Sequence, residues 1–201
     1  MVQPLDIHRE TASQTAGPYV HIGCLPSFAG LEGIYETELG HSPIGDGAKG
    51  APITITGSVL DGTGWPLRDA LLETWQADAA GLYPGQPGAD PAVTGFCRFA
   101  ADGQSGLWSL STVKPGPTRM ADGRMQAPHL SLWIVARGIN IGLATRIYFA
   151  DEAEANATDP LLSRIEQRPR VNTLLAAPTG QGDYRFDIRL RGDGETVFLD
   201  L

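Results

Sequence analysis

The stretch DYRFDIRL at Asp183–Leu190 alternates strictly between charged and apolar side chains. Because successive side chains of a β-strand point to opposite faces of a sheet, this period of two predicts a strand with one buried and one charged face. A half-exposed strand of this kind is typical of antiparallel sheets. The C-terminal part of the chain is therefore predicted to be antiparallel β structure.

Further candidate strands precede this stretch, each bounded by Gly, Pro or Asp residues that are typical of turns. They cover residues 53–59, 71–77, 96–100, 107–113, 129–136 and 144–149. A last strand is expected at Thr196–Leu201, after a turn at Gly192–Gly194. This succession of short strands and turns predicts an all-β fold, a β-sandwich of about eight strands.

Helical patterns are confined to a short insert near residues 151–177. Asp151 is a candidate N-cap for the first helix, and Asp159 with Pro160 combines a cap residue with a proline suited to the first helical turn. The expected helices cover residues 152–157, 161–166 and 168–176.

Residues 1–50 differ from the rest because they show no sustained period of either kind. They are predicted to form a long irregular arm with one helical turn near Leu31–Leu39. An arm of this length needs a surface to lie on, so we expect it to pack on its own domain and on a partner. Residues 51–201 would form the β-sandwich, in a single domain overall.

The composition excludes several classes of protein. The chain has 201 residues and a net charge of −8, which argues against nucleic-acid binding because such proteins need basic surfaces. No apolar run approaches the ~20 residues that cross a membrane, and Met1–Glu10 has no apolar core typical of a signal peptide. Cys24 and Cys97 do not make a disulfide framework. We therefore expect a cytoplasmic protein that binds neither nucleic acid nor membranes.

Three segments carry side chains that point to a particular chemistry: Leu72–Asp78 with the following Gly81–Tyr83, then Thr112–Pro117, then Ala127–Ser131. No Ser-His-Asp arrangement, phosphate loop or dinucleotide fingerprint accompanies them. With their Trp-Gln-Ala-Asp, Gly-x-Tyr and Lys-Pro-Gly-Pro motifs and a strand bearing histidine, they resemble the intradiol ring-cleavage dioxygenases. The resemblance covers nearly the whole chain. Some members of this family are built from an alpha chain without iron and a beta chain with iron. Three further segments resemble the alpha chain in particular: Ser13–Tyr19, Ala136–Ile141 and Tyr184–Leu201.

This family binds Fe(III) with two tyrosinates and two histidines, and the resemblance locates these four positions. Tyr83 and His129 retain two ligands, whereas Thr118 and Ser131 replace a tyrosine and a histidine. Gln126 stands where the family has an arginine. The resemblance therefore implies a degenerate site that holds no metal, with Fe(III) bound by a homologous beta chain that is an obligate partner.

The resemblance also implies that this chain lines the mouth of the active site in the beta chain. The implied contacts come from Thr15, Gly17, Pro18, Tyr19 and Arg137. The substrate would be a catechol with a ring carboxylate, which the alpha–beta complex cleaves with O₂. The residues themselves support a carboxylate site, because Arg137 follows an apolar run and precedes a glycine, and its planar fork suits a carboxylate.

Two other functions are compatible with the sequence. One is an intradiol dioxygenase that binds iron in its own right, which requires other ligands in place of Thr118 and Ser131. The other is a transthyretin-like, non-catalytic module that binds a small ligand or a partner, which the long arm and the missing ligands permit.

Overall fold

The computed structural model describes residues 15–140 and 142–200. Its helices are short: α1 covers Pro18–Cys24, α2 covers Ala153–Thr158, and two 3-10 helices cover Leu162–Arg164 and Arg168–Leu174. The strands are β1 (Pro52–Leu60), β2 (Leu71–Gln76), β3 (Phe96–Ala100), β4 (Leu107–Val113), β5 (Thr118–Arg119), β6 (Met125–Gln126), β7 (His129–Val135), β8 (Leu143–Phe149), β9 (Leu175–Pro178), β10 (Asp183–Arg185) and β11 (Ile188–Arg189). Within the described ranges, no helix has the length and apolar character needed to cross a membrane.

Most strands belong to one strongly bent sheet. β3, β2, β7 and β8 are antiparallel neighbours in that order, while β4 and β1 form a second antiparallel pair. β9 connects the two parts, because it runs parallel to β8 and antiparallel to β10, which lies beside β1. The predicted all-β sandwich is confirmed.

The core lies between the two parts of the sheet and receives apolar side chains from both. Leu72, Leu130 and Ile134 come from one part, and Ile55 and Trp108 come from the other, all of them buried. Because side chains alternate along a strand, burial of this side of β7 turns its odd-numbered residues to the outer face. The motif residues of β7 therefore lie outside the core.

The stretch Asp183–Leu190 keeps its alternating burial, but it is not one antiparallel strand. It divides into β10 and β11, and both pair with β1 in parallel. At the division, the carboxylate of Asp187 accepts a hydrogen bond from the backbone N–H of Ser58 at 2.9 Å. Since this side chain takes the place of a backbone carbonyl, the ladder is interrupted. The antiparallel prediction holds only for the pairing of β10 with β9.

The prediction of a strand at Thr196–Leu201 is wrong for residues 196–200, and Leu201 lies outside the described residues. One isolated bridge joins Leu199 to Ala144 instead. A side chain replaces the ladder here as well, because the hydroxyl of Thr145 donates to the carbonyl oxygen of Val197 at 2.7 Å. The C-terminal segment is thus held on the sheet without becoming a strand.

The helical insert is confirmed in outline and corrected in detail. α2 begins one residue later than predicted, and Asp151 does not cap it, because its carboxylate binds Lys114 Nζ and the hydroxyl of Tyr184. The two later helices, expected at 161–166 and 168–176, are only short 3-10 turns. The second one ends early because the chain there joins the sheet as β9.

The described part of the arm consists mostly of turns and bends, as predicted, but its helix lies elsewhere. Residues 31–39 contain no helix, whereas α1 begins at Pro18 with Gly17 as its N-cap. The fixed φ of proline suits this first helical position. Further along, the carbonyl oxygen of Pro43 accepts two backbone hydrogen bonds, of 2.9 and 3.1 Å, from the loop before β3.

Candidate functional site

Several motif residues meet on the outer face of β2, β7 and β8. Trp75 lies opposite Ser131, which in turn lies opposite Arg146. His129 lies opposite Tyr148 on the same pair of strands. Residues directly opposite one another share a face of the sheet. These five side chains therefore form one patch at the end of β7 where the strand begins.

Tyr83 reaches this patch from the loop after β2. Its ring stacks on Trp75, with the ring centroids 6.0 Å apart and the planes inclined by 7°. Thr118 and Gln126 lie opposite each other in the β5–β6 hairpin, which leads directly into β7, and their Oγ1 and Oε1 atoms are 3.3 Å apart. The five positions that the sequence analysis assigns to a degenerate site thus lie on β7, on the β5–β6 hairpin and in the loop after β2.

The Gly-x-Tyr and Lys-Pro-Gly-Pro motifs pack backbone against backbone. Gly81 has a φ of +80°, and a Cβ atom there would lie 2.0 Å from the carbonyl oxygen of Pro117. Gly116 approaches the same loop and donates its N–H to the carbonyl oxygen of Asp78 at 2.9 Å. The glycines of both motifs permit this approach, which holds the Tyr83 loop against the segment leading into β5.

Asp78 belongs to the framework of this region. It is buried, and its Oδ1 accepts the backbone N–H groups of Ala80 and Leu82 at 2.8 and 2.9 Å. Its Oδ2 accepts the N–H of Asp90 at 2.8 Å. With these bonds, Asp78 stabilises the loop that carries Tyr83.

His129 is buried beside Tyr148 and Arg146. Its Nδ1 lies 2.7 Å from the carbonyl oxygen of Ala127, which can only accept, so Nδ1 carries the proton. The Nε2 atom is buried and has no hydrogen-bond partner among the described residues. Burial, and then the charge of Arg146, lower the pKa of His129 from 6.5 to about 4. The imidazole is therefore neutral at physiological pH.

Asp159 connects the helical insert to this patch. Its Oδ1 accepts the hydroxyl of Tyr148 at 3.2 Å and the N–H of Leu162 at 2.9 Å, and its Oδ2 accepts the N–H of Ala127 at 2.8 Å. Arg146 Nη1 donates to the hydroxyl of Tyr148 at 3.2 Å. Burial raises the pKa of Tyr148 above its ordinary value, so the phenol stays neutral. Hydrogen bonds thus link Asp159, Tyr148 and Arg146 at this end of the sheet, whereas Nε2 of His129 and Nε of Arg146 have no hydrogen-bond partner among the described residues.

This donor set does not fit Fe(III). Tyr83 stacks on an indole, and His129 lies beside a guanidinium, whose positive charge disfavours a second cation nearby. Thr118 and Ser131 offer neutral hydroxyls where Fe(III) would need a phenolate and an imidazole. In the parts of the chain that the structure describes, no three His, Cys, Asp or Glu side chains come together as a metal site.

The second group of expected site residues surrounds Arg137, in the turn after β7. A cavity of about 350 Å³ lies there, and its lining includes Gly17, His21, Arg68, Asp69 and Arg137. The side chain of Arg137 is 71% exposed, and its Nε donates to Oδ2 of Asp69 at 2.7 Å. The arm and the turn after β7 therefore border one cavity that carries two arginines.

The remaining arm residues differ in their positions. The hydroxyl of Thr15 is hydrogen-bonded to the backbone of the turn that carries Arg137. Tyr19 is 85% exposed. Pro18 begins α1, and its side chain lies outside the described parts of the structure. The structure thus brings Gly17 and Arg137 to one cavity, ties Thr15 to the turn that carries Arg137 and leaves Tyr19 on the surface.

Residues 26–192 match the protein family described as dioxygenase. The chain is 46% identical to the protocatechuate 3,4-dioxygenase alpha chain of Pseudomonas putida, over 98% of this chain and 100% of that one. This chain belongs to the intradiol ring-cleavage dioxygenases. The alpha chain of Burkholderia cepacia is 38% identical, over 96% of this chain and 98% of that one. The beta chain of the same organism is 31% identical, over 73% of this chain and 67% of that one.

Solved structures of dioxygenases share the fold of this chain. Chlorocatechol 1,2-dioxygenase from Pseudomonas putida superposes with a TM-score of 0.56 at 18% identity, covering 77% of this chain and 66% of that one. The predicted family is confirmed. The match to dioxygenases favours this family over the transthyretin-like, non-catalytic binding module that the sequence also permitted.

Sequence reasoning missed three residues that surround the expected site positions, Arg146, Asp69 and His21. Arg146 left a signal, because it interrupts an otherwise uncharged strand at residues 144–149. Asp69 left none, since it pairs with an arginine 68 positions away. His21 is nearly buried in the arm, where no periodic pattern indicated its surroundings.

The low pKa of His129 predicts a loss of stability in acid. The unfolded histidine titrates near 6.5 and the folded one near 4, so the unfolded chain binds more protons between these pH values. The contribution of His129 to the free energy of unfolding should therefore be fully present above pH 6.5 and should be lost as the pH falls from 6.5 towards 4. At pH 4.5 the loss is expected to be about 2 kcal/mol.

Urea unfolding at pH 7.5 and 4.5 measures this loss in the wild type and in His129→Gln. The other titrating groups are the same in both proteins. The difference between the two losses of unfolding free energy therefore gives the contribution of His129. An equal loss in the two proteins would show that the buried imidazole does not control acid stability.

Proposed function

We propose that this chain is the non-iron alpha subunit of a protocatechuate 3,4-dioxygenase. In this proposal a homologous beta chain holds Fe(III), and the complex cleaves protocatechuate with O₂ to 3-carboxy-cis,cis-muconate, incorporating both oxygen atoms. The observation that carries the proposal is the pair of hydroxyls, Thr118 and Ser131, at two of the four ligand positions. The likeness to alpha chains over almost the full length supports it. A cytoplasmic location remains a prediction.

The surface of the arm supports an obligate beta partner. Large apolar side chains are exposed there, at Tyr19, Ile22, Phe28, Leu31, Ile34, Tyr35 and Leu39. Soluble monomers rarely expose so many apolar side chains in one region, and a partner chain would remove them from water. The cavity at Arg137 borders the same region, so a docked beta chain would lie close to it.

Iron content tests the division of labour between the two chains. The alpha chain purified alone should be colourless and free of iron, because its site lacks two ligands and contains Arg146. The complex with the beta chain should contain iron and show the visible absorption of tyrosinate–Fe(III). Tyr83→Phe in the complex should leave the iron content unchanged. Stoichiometric iron in the lone chain, or iron loss in Tyr83→Phe, would overturn the proposal.

Arg137 is proposed to bind the ring carboxylate of protocatechuate. A hydrogen bond from arginine to a carboxylate contributes about 1.5–3 kcal/mol, and the exposure of this side chain and its pairing with Asp69 favour the lower end. In the complex, Arg137→Ala should therefore lower kcat/KM for protocatechuate by roughly 5- to 50-fold. Catechol, which has no carboxylate, should lose much less.

The matched control is Arg124→Ala, which removes another exposed arginine that is paired with an aspartate. It should leave the ratio of the two kcat/KM values unchanged. If Arg137→Ala lowers kcat/KM equally for protocatechuate and catechol, or if the complex loses iron, Arg137 acts through the interface or the fold.

A further inference from the structure

One hydroxyl group of the arm, that of Thr15, forms two hydrogen bonds to the turn that carries Arg137. The hydroxyl of Thr15 lies between the backbone groups on either side of Arg137. It accepts the N–H of Gly138 at 2.8 Å and donates to the carbonyl oxygen of Ala136 at 3.2 Å. These groups are 123 and 121 positions away along the chain.

The two bonds decide what the hydroxyl of Thr15 can do. A threonine hydroxyl has one hydrogen to donate, and here that hydrogen is directed to the carbonyl oxygen of Ala136. The remaining lone pair would face a substrate carboxylate without a hydrogen between them, and two acceptors repel each other. Thr15 is therefore poorly suited to bind a carboxylate itself.

The same bonds fix the backbone from which the side chain of Arg137 extends. Ala136 is fully buried in the core, and Gly138 has a φ of +87°, so the chain reverses direction at this point. The carboxylate of Asp69 accepts a hydrogen bond from Nε of Arg137. The two terminal nitrogens of the guanidinium have no protein partner among the described residues. A carboxylate is recognised through such a pair of terminal donors, whose direction depends on the backbone of the turn.

We propose that Thr15 is a positioning residue, which selects for a ring carboxylate by holding the backbone of the Arg137 turn with its hydroxyl. The inference rests on the proposed function of Arg137. It assigns the arm a part in substrate preference that does not require contact between Thr15 and the substrate.

The test uses complexes of alpha-chain variants with the beta chain. Thr15→Val removes the hydroxyl at constant shape, and Thr15→Ser retains it. Thr15→Val should lower the ratio of kcat/KM for protocatechuate to that for catechol by roughly 3- to 10-fold, mainly through KM. Thr15→Ser should stay within about twofold of the wild type. Iron content should be equal in all variants.

Two further measurements separate positioning from a general structural role. In an Arg137→Ala background, Thr15→Val should not lower the ratio again, because the two residues act through one interaction. Amide hydrogen exchange at Gly138 should be faster in Thr15→Val than in Thr15→Ser. Thr15→Ala provides a second removal of the hydroxyl if the valine variant does not assemble.

The outcomes distinguish this inference from the proposed function. If Arg137→Ala lowers the ratio but neither Thr15→Val nor Thr15→Ala does, positioning by Thr15 is wrong while the carboxylate site stands. Positioning by Thr15 is also wrong if Thr15→Val lowers the ratio further in the Arg137→Ala background, or if Thr15→Val lowers kcat/KM equally for both substrates. If Arg137→Ala leaves the ratio unchanged, the carboxylate role of Arg137 fails, and the inference fails with it.

Discussion

Replacement of Asp159 by alanine should lower the free energy of unfolding by about 4 kcal/mol. The carboxylate is fully buried and accepts the N–H groups of Ala127, Leu161 and Leu162 and the hydroxyl of Tyr148. Each buried donor left without an acceptor costs about 1–3 kcal/mol, and water entering the space would offset part of the sum. For a chain of this length we expect a fall in Tm of about 10 °C.

Asp159→Asn provides a graded comparison. An asparagine can keep Oδ1 for three of the donors, but its amide group would face the N–H of Ala127, so about half of the loss should remain. Asp122→Ala is the exposed control, since among the described residues the Asp122 carboxylate accepts hydrogen bonds from Arg124 alone, at the tip of a hairpin. Urea and thermal unfolding measure all three variants. An Asp159→Ala protein as stable as Asp122→Ala would show that the buried bonds are not needed.

Gly81→Ala is expected to have an effect of similar size, about 4 kcal/mol. Alanine at a φ of +80° is strained, and its Cβ would lie 2.0 Å from the carbonyl oxygen of Pro117. No rotamer change can relieve a clash between a Cβ atom and a backbone carbonyl. The two motif loops would have to separate, and the Tyr83 loop would leave its place on Trp75.

Gly85→Ala separates the two causes. Gly85 has a φ of +87°, but a Cβ there would meet nothing within 4 Å. The variant should therefore carry the backbone strain alone and lose only about 1 kcal/mol. If Gly81→Ala loses no more than Gly85→Ala in urea unfolding, the close packing of the two loops is not what Gly81 provides.

Both positions support a site that the proposal treats as having lost its metal. Asp159 orients Tyr148 and the backbone before His129, and Gly81 holds the loop of Tyr83. The framework around these positions is thus also part of what stabilises the chain. Under the proposal, two ligand positions could change to Thr118 and Ser131 while this framework kept the surrounding fold.

The strands were predictable because their signal is local. The alternation along 107–113 and the short, mostly apolar run at 96–100, bounded by glycine and aspartate, depend only on neighbouring residues, and both predicted ranges agree with β4 and β3. The same is true of the alternating burial of Asp183–Leu190. Its direction relative to β1 was not predictable, because a strand presents the same alternation to a parallel and to an antiparallel neighbour.

The candidate site divides in the same way. The sequence by itself places Thr118 and Ser131 at two positions where the resemblance implies a phenolate and an imidazole. Only the tertiary structure decided that Arg146 lies beside His129, that Asp69 holds Arg137, and that Thr15 fastens its turn. These contacts join positions up to 123 residues apart, and such pairs are set by how the sheet bends and where the arm lies on it. No local pattern of side chains carries that information.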